Sequence, residues 1–446
     1  MNAIDRIAAQ LQGYDPQAMT ADGVRDFLAR LVTPVQDAIE LPLFEALGRV
    51  LAADVVSPFD VPPHDNSAMD GYAFNGAQLR PDAALQLQVV GTALAGKAWQ
   101  GSISSGQCVK IMTGAVMPAG LDTVVPQEFV TSSRADDVEM ITIPPGLLRT
   151  GDNRRLRGED LAQGKPALQK GELLTPARLG LAASLGLKTL STLRPLRVAY
   201  FSTGDEILSL GEAPREGAVY DSNRYTIFGL LSRLGCQVID MGVVRDEPAL
   251  LEAAFLDAAM QADAIITSGG VSVGEADYTK AMMKKLGDVA FWRIAMRPGR
   301  PMAVGRISSI KLATCAYGAG ADSYQKNSSG AVLFGLPGNP VAVMVTFLAF
   351  VRPALLQMMG ALHEPEVRLK ARSLEAIRKK PGRTEYQRGC VTTVPDGSLH
   401  VRTTGSQGSG VLRSMAEANG LIVLHHGQGN VAVGDEVDVM MFDGAI

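Results

Sequence analysis

Two periods of apolar residues alternate along this chain, and the changes of period divide it. Val24, Phe27, Leu28 and Leu31 stand at i, i+3, i+4 and i+7, which predicts an amphipathic helix over 20–32 with Thr20 as its cap and Pro34 beyond its end. From about 50 to 148 the apolar runs are short, as in 109–112 and 123–125, and Gly and Pro separate them, which predicts a β-rich domain. Residues 151–190 are expected to return to helix, with Pro176 at a helix start, Leu179, Leu181, Ala182 and Leu185 within it and Gly186 as C-cap.

The stretch 196–358 alternates strand and helix patterns. LRVAYFS, QVIDMGVV, ADAIITS and AVLFGL read as strands. Helices are expected from Asp221, Glu247, Glu275 and Asn339. Such alternation predicts a doubly wound, mostly parallel sheet, whose ligands sit beyond the carboxyl ends of the strands. After 362 the pattern is again short alternating runs broken by Gly. The expected organisation is therefore α/β and multidomain: a discontinuous helical linker domain over 1–48 and 149–192, a β-rich domain over 49–148, an α/β domain over 193–360 and a β-barrel-like domain over 361–446. Residues 313–330 read as a loop interrupting the α/β domain.

Composition narrows the partners. The 42 Lys and Arg against 46 Asp and Glu leave a net charge of −4, with no overall basic field for nucleic acid, so any anion site is local. The four cysteines are scattered without a CxxC pair, which suggests neither a zinc site nor a disulfide framework and fits a reducing compartment. No apolar leader and no uncharged run of 18 apolar residues is evident, so the expected location is the cytoplasm, with no membrane partner.

Three of the strands end in turns of small residues: Ser202, Thr203, Gly204, Asp205 and Glu206; Ser268, Gly269, Gly270, Val271 and Ser272; and Pro337, Gly338, Asn339 and Pro340. Glycine lets backbone N–H groups approach an anion, and a helix N-terminus adds partial positive charge, so the three turns at one sheet edge point to phosphate. A single such turn is ordinary strand-to-helix geometry; three together are not. Acids accompany them, Glu206, Asp246 and Asp277 among others, and carboxylates beside phosphate imply an intervening hard cation such as Mg²⁺. For any one of these acids, helix capping is the alternative. Positive charge comes from Arg293, Arg297 and Arg300 around a Pro-Gly turn, and from Arg383 and Arg388 with Ser406 and Ser409 nearby, groups able to hold a tetrahedral oxyanion. The PPHDNSAMDGYAF segment gathers His64, Asp65, Asn66, Ser67, Asp70 and Tyr72, more polar groups than a turn requires. Thr113 and Gly114 in KIMTGA read from residue chemistry as another turn.

Together the segments PPHDNSAMDGYAF, KIMTGAVMP, RLRGEDL, FSTGDEI, YDSNRY, SGGVSVGEADYTK, RPGRP, GLPGNPVA, PGRTEYQRG and TTGSQGSG resemble the molybdopterin molybdenumtransferase family, MoeA in bacteria and the matching domain of gephyrin in eukaryotes. The resemblance runs from about residue 20 to the end. It implies an elongated homodimer whose cleft uses the α/β and C-terminal domains of one subunit and the first β domain of the other. It also implies metal-dependent hydrolysis of adenylylated molybdopterin with insertion of molybdate and release of AMP. On that pattern Glu206, Asp246 and Asp277 fall on positions needed for activity, with Asp277 the foremost metal ligand. Asp65 and Thr113 would enter from the neighbouring subunit, and Arg297, Arg300, Arg383 or Arg388, and Ser409 would hold molybdate. The partners implied are a second copy of the chain, a molybdopterin adenylyltransferase and downstream cofactor-maturation proteins. Relatives often carry lysine where this chain has Arg293, Arg297 and Arg300, which exchanges a point charge for a fork. A molybdopterin adenylyltransferase or nucleotide-pyrophosphate hydrolase would want the same three turns but not the flanking domains. A non-catalytic scaffold of the same fold would not need the acids.

Overall fold

The computed structural model describes residues 2–271, 278–308, 330–363 and 365–442. Ser272, Asp277 and the 313–329 segment therefore lie outside the described residues, as does the start of the helix expected from Glu275.

The first amphipathic segment forms the helix Ala21–Leu31, capped by Thr20, whose hydroxyl accepts the Gly23 N–H. Its stripe of Val24, Phe27, Leu28 and Leu31 is buried, and Phe27 meets the Trp292 ring edge-on at 4.8 Å. Residues 151–190 differ from expectation: among the described residues, Pro176–Ser184 is the one helix there. Gly151, Gly158, Gly164 and Gly171 all take positive φ, which breaks the segment into turns. Its short strands Arg154–Arg155 and Pro166–Leu168 pair with Asn66–Ser67 and Val55–Val56 instead. The Ala38–Pro42 strand pairs with Thr189–Leu193, so chain on either side of the β insert meets around a small core including Leu51, Leu168, Leu174 and Leu190. Between them lies a six-stranded sheet ordered Thr123–Pro126, Gly71–Phe74, Gln107–Ile111, Leu85–Ala93, Val138–Ile143, Thr131–Ala135.

The α/β region carries a six-stranded sheet ordered Gln237–Val244, Arg197–Thr203, Ala264–Ser268, Ala331–Leu336, Pro301–Ile307, Gly287–Arg293. The first four are parallel; the last two run antiparallel to their neighbours. Alternation puts Val198, Tyr200, Ala264, Ile266, Val332 and Phe334 on one face, in a core shared with Leu230, Leu231 and the Pro340–Met358 helix. Ala199, Phe201, Ile265 and Leu333 face the other way, against Leu251, Phe255 and Met283. Helices thus cover both faces, the reason the strands read as continuous apolar runs. Pro340–Met358 is apolar and long enough to cross a bilayer, but most of it is buried as a core helix of this domain.

At the C-terminal end, Thr384–Thr393, Leu399–Thr403, Leu369–Ser373, Glu436–Met441 and Gly420–Leu424 pair in that order, and Gly420–Leu424 pairs back onto Thr384–Thr393. The circuit closes a barrel around Ala371, Val401, Ile422 and Val439. The two-residue strand Met296–Arg297 adds to Thr384–Glu385, tying the arginine turn to this barrel.

Candidate functional site

The connections from Arg197–Thr203 and from Ala264–Ser268 leave in opposite directions across the sheet, so the ends of these adjacent strands diverge into a crevice. A cleft of about 1420 Å³ opens there. Its walls hold Thr203, Gly204 and Glu206 from the first turn, Ser268, Gly269 and Gly270 from the second, and Pro337, Gly338 and Asn339 from the third. Asp246 follows the neighbouring strand Gln237–Val244, and Arg297, Arg300 and Ser409 also line the cleft.

Glycine is required where the turns approach one another. A Cβ on Gly269, at φ +93°, would lie 2.5 Å from the Thr203 carbonyl oxygen, and one on Gly270, at φ +64°, 2.4 Å from Thr279 Cβ. Below the second turn, Tyr200 Oη, Ser202 Oγ and Ser268 Oγ form a buried triangle with separations of 2.7, 2.8 and 3.2 Å. Burial pushes the Tyr200 phenol well above its usual range, so the triangle stays neutral and fixes the Ser268 side chain. Thr279 Oγ donates to Asp246 Oδ1 at 3.1 Å, and the Asp246 N–H points at Asp205 Oδ1 at 3.4 Å. The side chain of Glu206 lies over Gly204.

Arg297 and Arg300 are exposed on either side of the Pro298–Gly299 turn, and neither makes an ion pair among the described residues. Ser409 Oγ accepts from Asn339 Nδ2 at 3.0 Å, and its carbonyl accepts the Val341 N–H, so the C-terminal loop is fastened to the third turn. Arg293 lies at the end of the edge strand and does not line the cleft; its backbone binds Pro16 and Met19.

Four expected site residues lie elsewhere. Arg388 is 1% exposed: Nε donates to Ser414 Oγ at 3.0 Å, and the Nη atoms donate to the carbonyls of Ser406, Gln407 and Gly408 at 3.1, 3.4 and 2.9 Å. Its planar fork holds the loop that presents Ser409, with four of its five N–H groups engaged. Burial, reinforced by Arg297, pulls its pKa down to about 10. Arg383 pairs with buried Glu385 at 2.8 Å and is outside the cleft lining. Asp65 and Thr113 belong to the β-rich domain and are absent from the cleft of their own chain. Asp65 accepts the Arg157 N–H at 2.8 Å and lies 3.5 Å from Arg154, while Thr113 donates through both N–H and Oγ to Asp70 Oδ1 at 2.7 Å. The two Thr113 hydrogen bonds hold the Asp70 carboxyl below its usual range.

The cleft also contains side chains that the turn-and-charge reading passed over: Asp221, Asn223 and Gln407. Asp221 caps the helix Ser222–Arg233, and Asn223 Nδ2 donates to the Gly338 carbonyl at 2.7 Å, joining the first helix of the domain to the third turn. Their sequence signal is the DSN triplet opening a helix pattern, which looks like a cap alone. Two carboxylates, Glu206 and Asp246, and two arginines in one cleft suit a ligand that is anionic in part, with hard-oxygen donors beside it.

Comparison with known proteins agrees along most of the chain. Residues 19–186 match the MoeA N-terminal region (domain I and II), 199–357 the probable molybdopterin binding domain and 370–442 the MoeA C-terminal region (domain IV). A molybdopterin molybdenumtransferase of Haemophilus influenzae is 38% identical, covering 95% of this chain and 99% of its own. One from a Nostoc species is 34% identical over 91% of this chain and 89% of its own. Among solved structures, a molybdopterin biosynthesis moeA protein from Pyrococcus horikoshii superimposes with a TM-score of 0.76 at 26% identity, covering 95% of this chain and all of that one.

Proposed function

The chain belongs to the MoeA family of molybdopterin molybdenumtransferases, and we propose from that premise that its cleft binds adenylylated molybdopterin and molybdate, inserts molybdenum into the pterin dithiolene and releases AMP. The observation that carries this reading is that three glycine-rich turns and Arg297, Arg300 and Ser409 line one cleft. A molybdopterin adenylyltransferase reading would leave the N-terminal and C-terminal matched regions without a role, and is not favoured.

The Gly269 N–H donates to the Leu336 carbonyl at 3.2 Å, so it is the backbone N–H groups of Gly270 and Gly338 that would approach the phosphate oxygens, with nothing larger than hydrogen on their Cα atoms. Arg297 and Arg300, fixed on a proline-rich turn, pair with the tetrahedral oxyanion, and Ser409 Oγ adds a hydroxyl. Glu206 and Asp246 are carboxylates at adjacent strand ends, a donor set that fits Mg²⁺. When bound there, that cation would supply charge neutralisation at the diphosphate oxygens. Thr279 orients Asp246 for that task through its 3.1 Å hydrogen bond. Asp65 and Thr113 act in the cleft of a second copy, in a homodimer; this is the reading that accounts for their distance from their own chain's cleft. The proposed setting is the cytoplasm, between a molybdopterin adenylyltransferase and cofactor-maturation proteins.

The test is AMP release from adenylylated molybdopterin with Mg²⁺, with and without molybdate. Molybdate-dependent release is expected, and its absence would sink the proposal.

A further inference from the structure

Asn339 opens a helix without capping it. Asn2, Thr20, Thr175 and Asp221 each cap a helix by accepting an N–H of its first turn through a side-chain oxygen. Asn339 has the extended backbone of a cap residue, φ −69° and ψ 129°, yet its side chain makes no such bond. The Val341 N–H, one of the groups that a cap at 339 would take, donates instead to the Ser409 carbonyl at 3.1 Å. Asn339 Nδ2 in turn donates to Ser409 Oγ at 3.0 Å. The two residues, 70 apart in sequence, have thus exchanged partners. The backbone of Ser409 caps the helix, and the side chain of Asn339 is released to hold the Ser409 hydroxyl.

The direction of the side-chain bond decides what Ser409 can do. An amide N–H₂ group can only donate, so Oγ spends a lone pair on Asn339 and keeps its own hydrogen. Among the described residues that hydroxyl has no second partner. Asn339 and Ser409 both line the cleft, and neither is buried. The course of the loop does not depend on Asn339, because Arg388 donates to the carbonyls of Ser406, Gln407 and Gly408 and the Val341 N–H holds that of Ser409. What Asn339 adds is the orientation of the hydroxyl. We propose that Asn339 is a positioning residue for the oxyanion: it holds Ser409 Oγ as an acceptor, so that the Oγ hydrogen is left to donate to molybdate. The proposal rests on the oxyanion reading of Ser409 above and supplies the residue that acts through it.

A double-mutant cycle separates orientation from support. Molybdate binding to the full-length protein is measured by calorimetry for the wild type, Asn339→Ala, Ser409→Ala and the double variant, alongside thermal unfolding. Ser409→Ala keeps the carbonyl that caps the helix and Asn339→Ala removes no cap bond, so Tm is expected to hold in all four. Each single substitution is expected to weaken molybdate binding by about three- to tenfold. The double variant is expected to bind no more weakly than Ser409→Ala, since Asn339 has nothing to orient once the hydroxyl is gone. Asn339→Asp replaces the donor by an acceptor that takes the Oγ hydrogen, and is expected to bind molybdate more weakly than Asn339→Ala. Losses that multiply in the double variant, or an Asn339→Ala protein that binds as the wild type does, overturn the proposal. So does a lowered Tm in Asn339→Ala, the mark of a working cap. AMP release from adenylylated molybdopterin is scored separately. Turnover with losses that multiply defeats this inference alone. Coupled losses without molybdate-dependent AMP release support it and defeat the transferase reading, and a wild-type chain that does not bind molybdate defeats both.

Discussion

Replacing Arg388 by methionine separates a ligand from a scaffold. The substitution keeps most of the side-chain volume and removes four donated hydrogen bonds, to Ser414 Oγ and to the carbonyls of Ser406, Gln407 and Gly408. An acceptor left unpaired in a buried setting costs about 1–3 kcal/mol. Ser414 is buried, but Gln407 and Gly408 are half-buried and Ser406 is exposed, so water recovers part of the loss on the loop. Removing a buried guanidinium that has no carboxylate partner also relieves some desolvation. The balance is a destabilisation of about 2–4 kcal/mol, most of it in the C-terminal barrel. Urea unfolding followed by hydrogen exchange on the barrel strands reads that loss. Molybdate affinity is expected to fall only with the order of the 405–410 loop. The reasoning is refuted if Arg388→Met leaves barrel stability unchanged and abolishes molybdate binding, since Arg388 would then be a direct ligand.

Thr279→Val, which preserves shape and removes the donor to Asp246, should lower activity and Mg²⁺ affinity by about 10–100-fold with an unchanged fold; full activity would detach Thr279 from the site. Gly270→Ala forces a Cβ against Thr279 at a positive φ, so it should cost more than about 1 kcal/mol and weaken AMP binding, read by Tm and calorimetry; wild-type values for both would contradict the close approach. Asp263 is buried, which alone would raise its pKa, but Arg194 and the backbone and side chain of Arg197 hold it below 3.8. A depressed carboxylate contributes stability fully above the unfolded value and loses it as pH falls through the folded one. Asp263→Asn should therefore destabilise by about 3–5 kcal/mol near neutrality, and the difference from wild type should shrink as pH drops below 3.8. A difference independent of pH would contradict the ion-pair assignment.

The α/β sheet was legible in the sequence because its strands are buried on both faces and its helices keep the 3.6 period, as Ile227, Leu230 and Leu231 do. The three turns were legible for the same reason that they work: glycine at a strand end is a backbone requirement, visible without neighbours. The helical pattern at 176–185 does not extend back over the rest of 151–190, because the glycines there take positive φ and select turns. Charge was harder to place. Arg297 and Arg388 look alike as letters, yet one is exposed in the cleft and the other holds a loop from beneath, and only packing decides which. Asp221 and Asn223 were hidden in the opposite way, since a cap residue looks complete in the sequence and gives no sign of the cleft it lines.

The most direct measurement follows AMP and molybdenum in one incubation of the full-length protein with adenylylated molybdopterin, Mg²⁺ and molybdate. AMP release is expected to depend on molybdate, with one molybdenum recovered in the pterin for each AMP released. AMP released at the same rate without molybdate, or no molybdenum in the pterin, would contradict it.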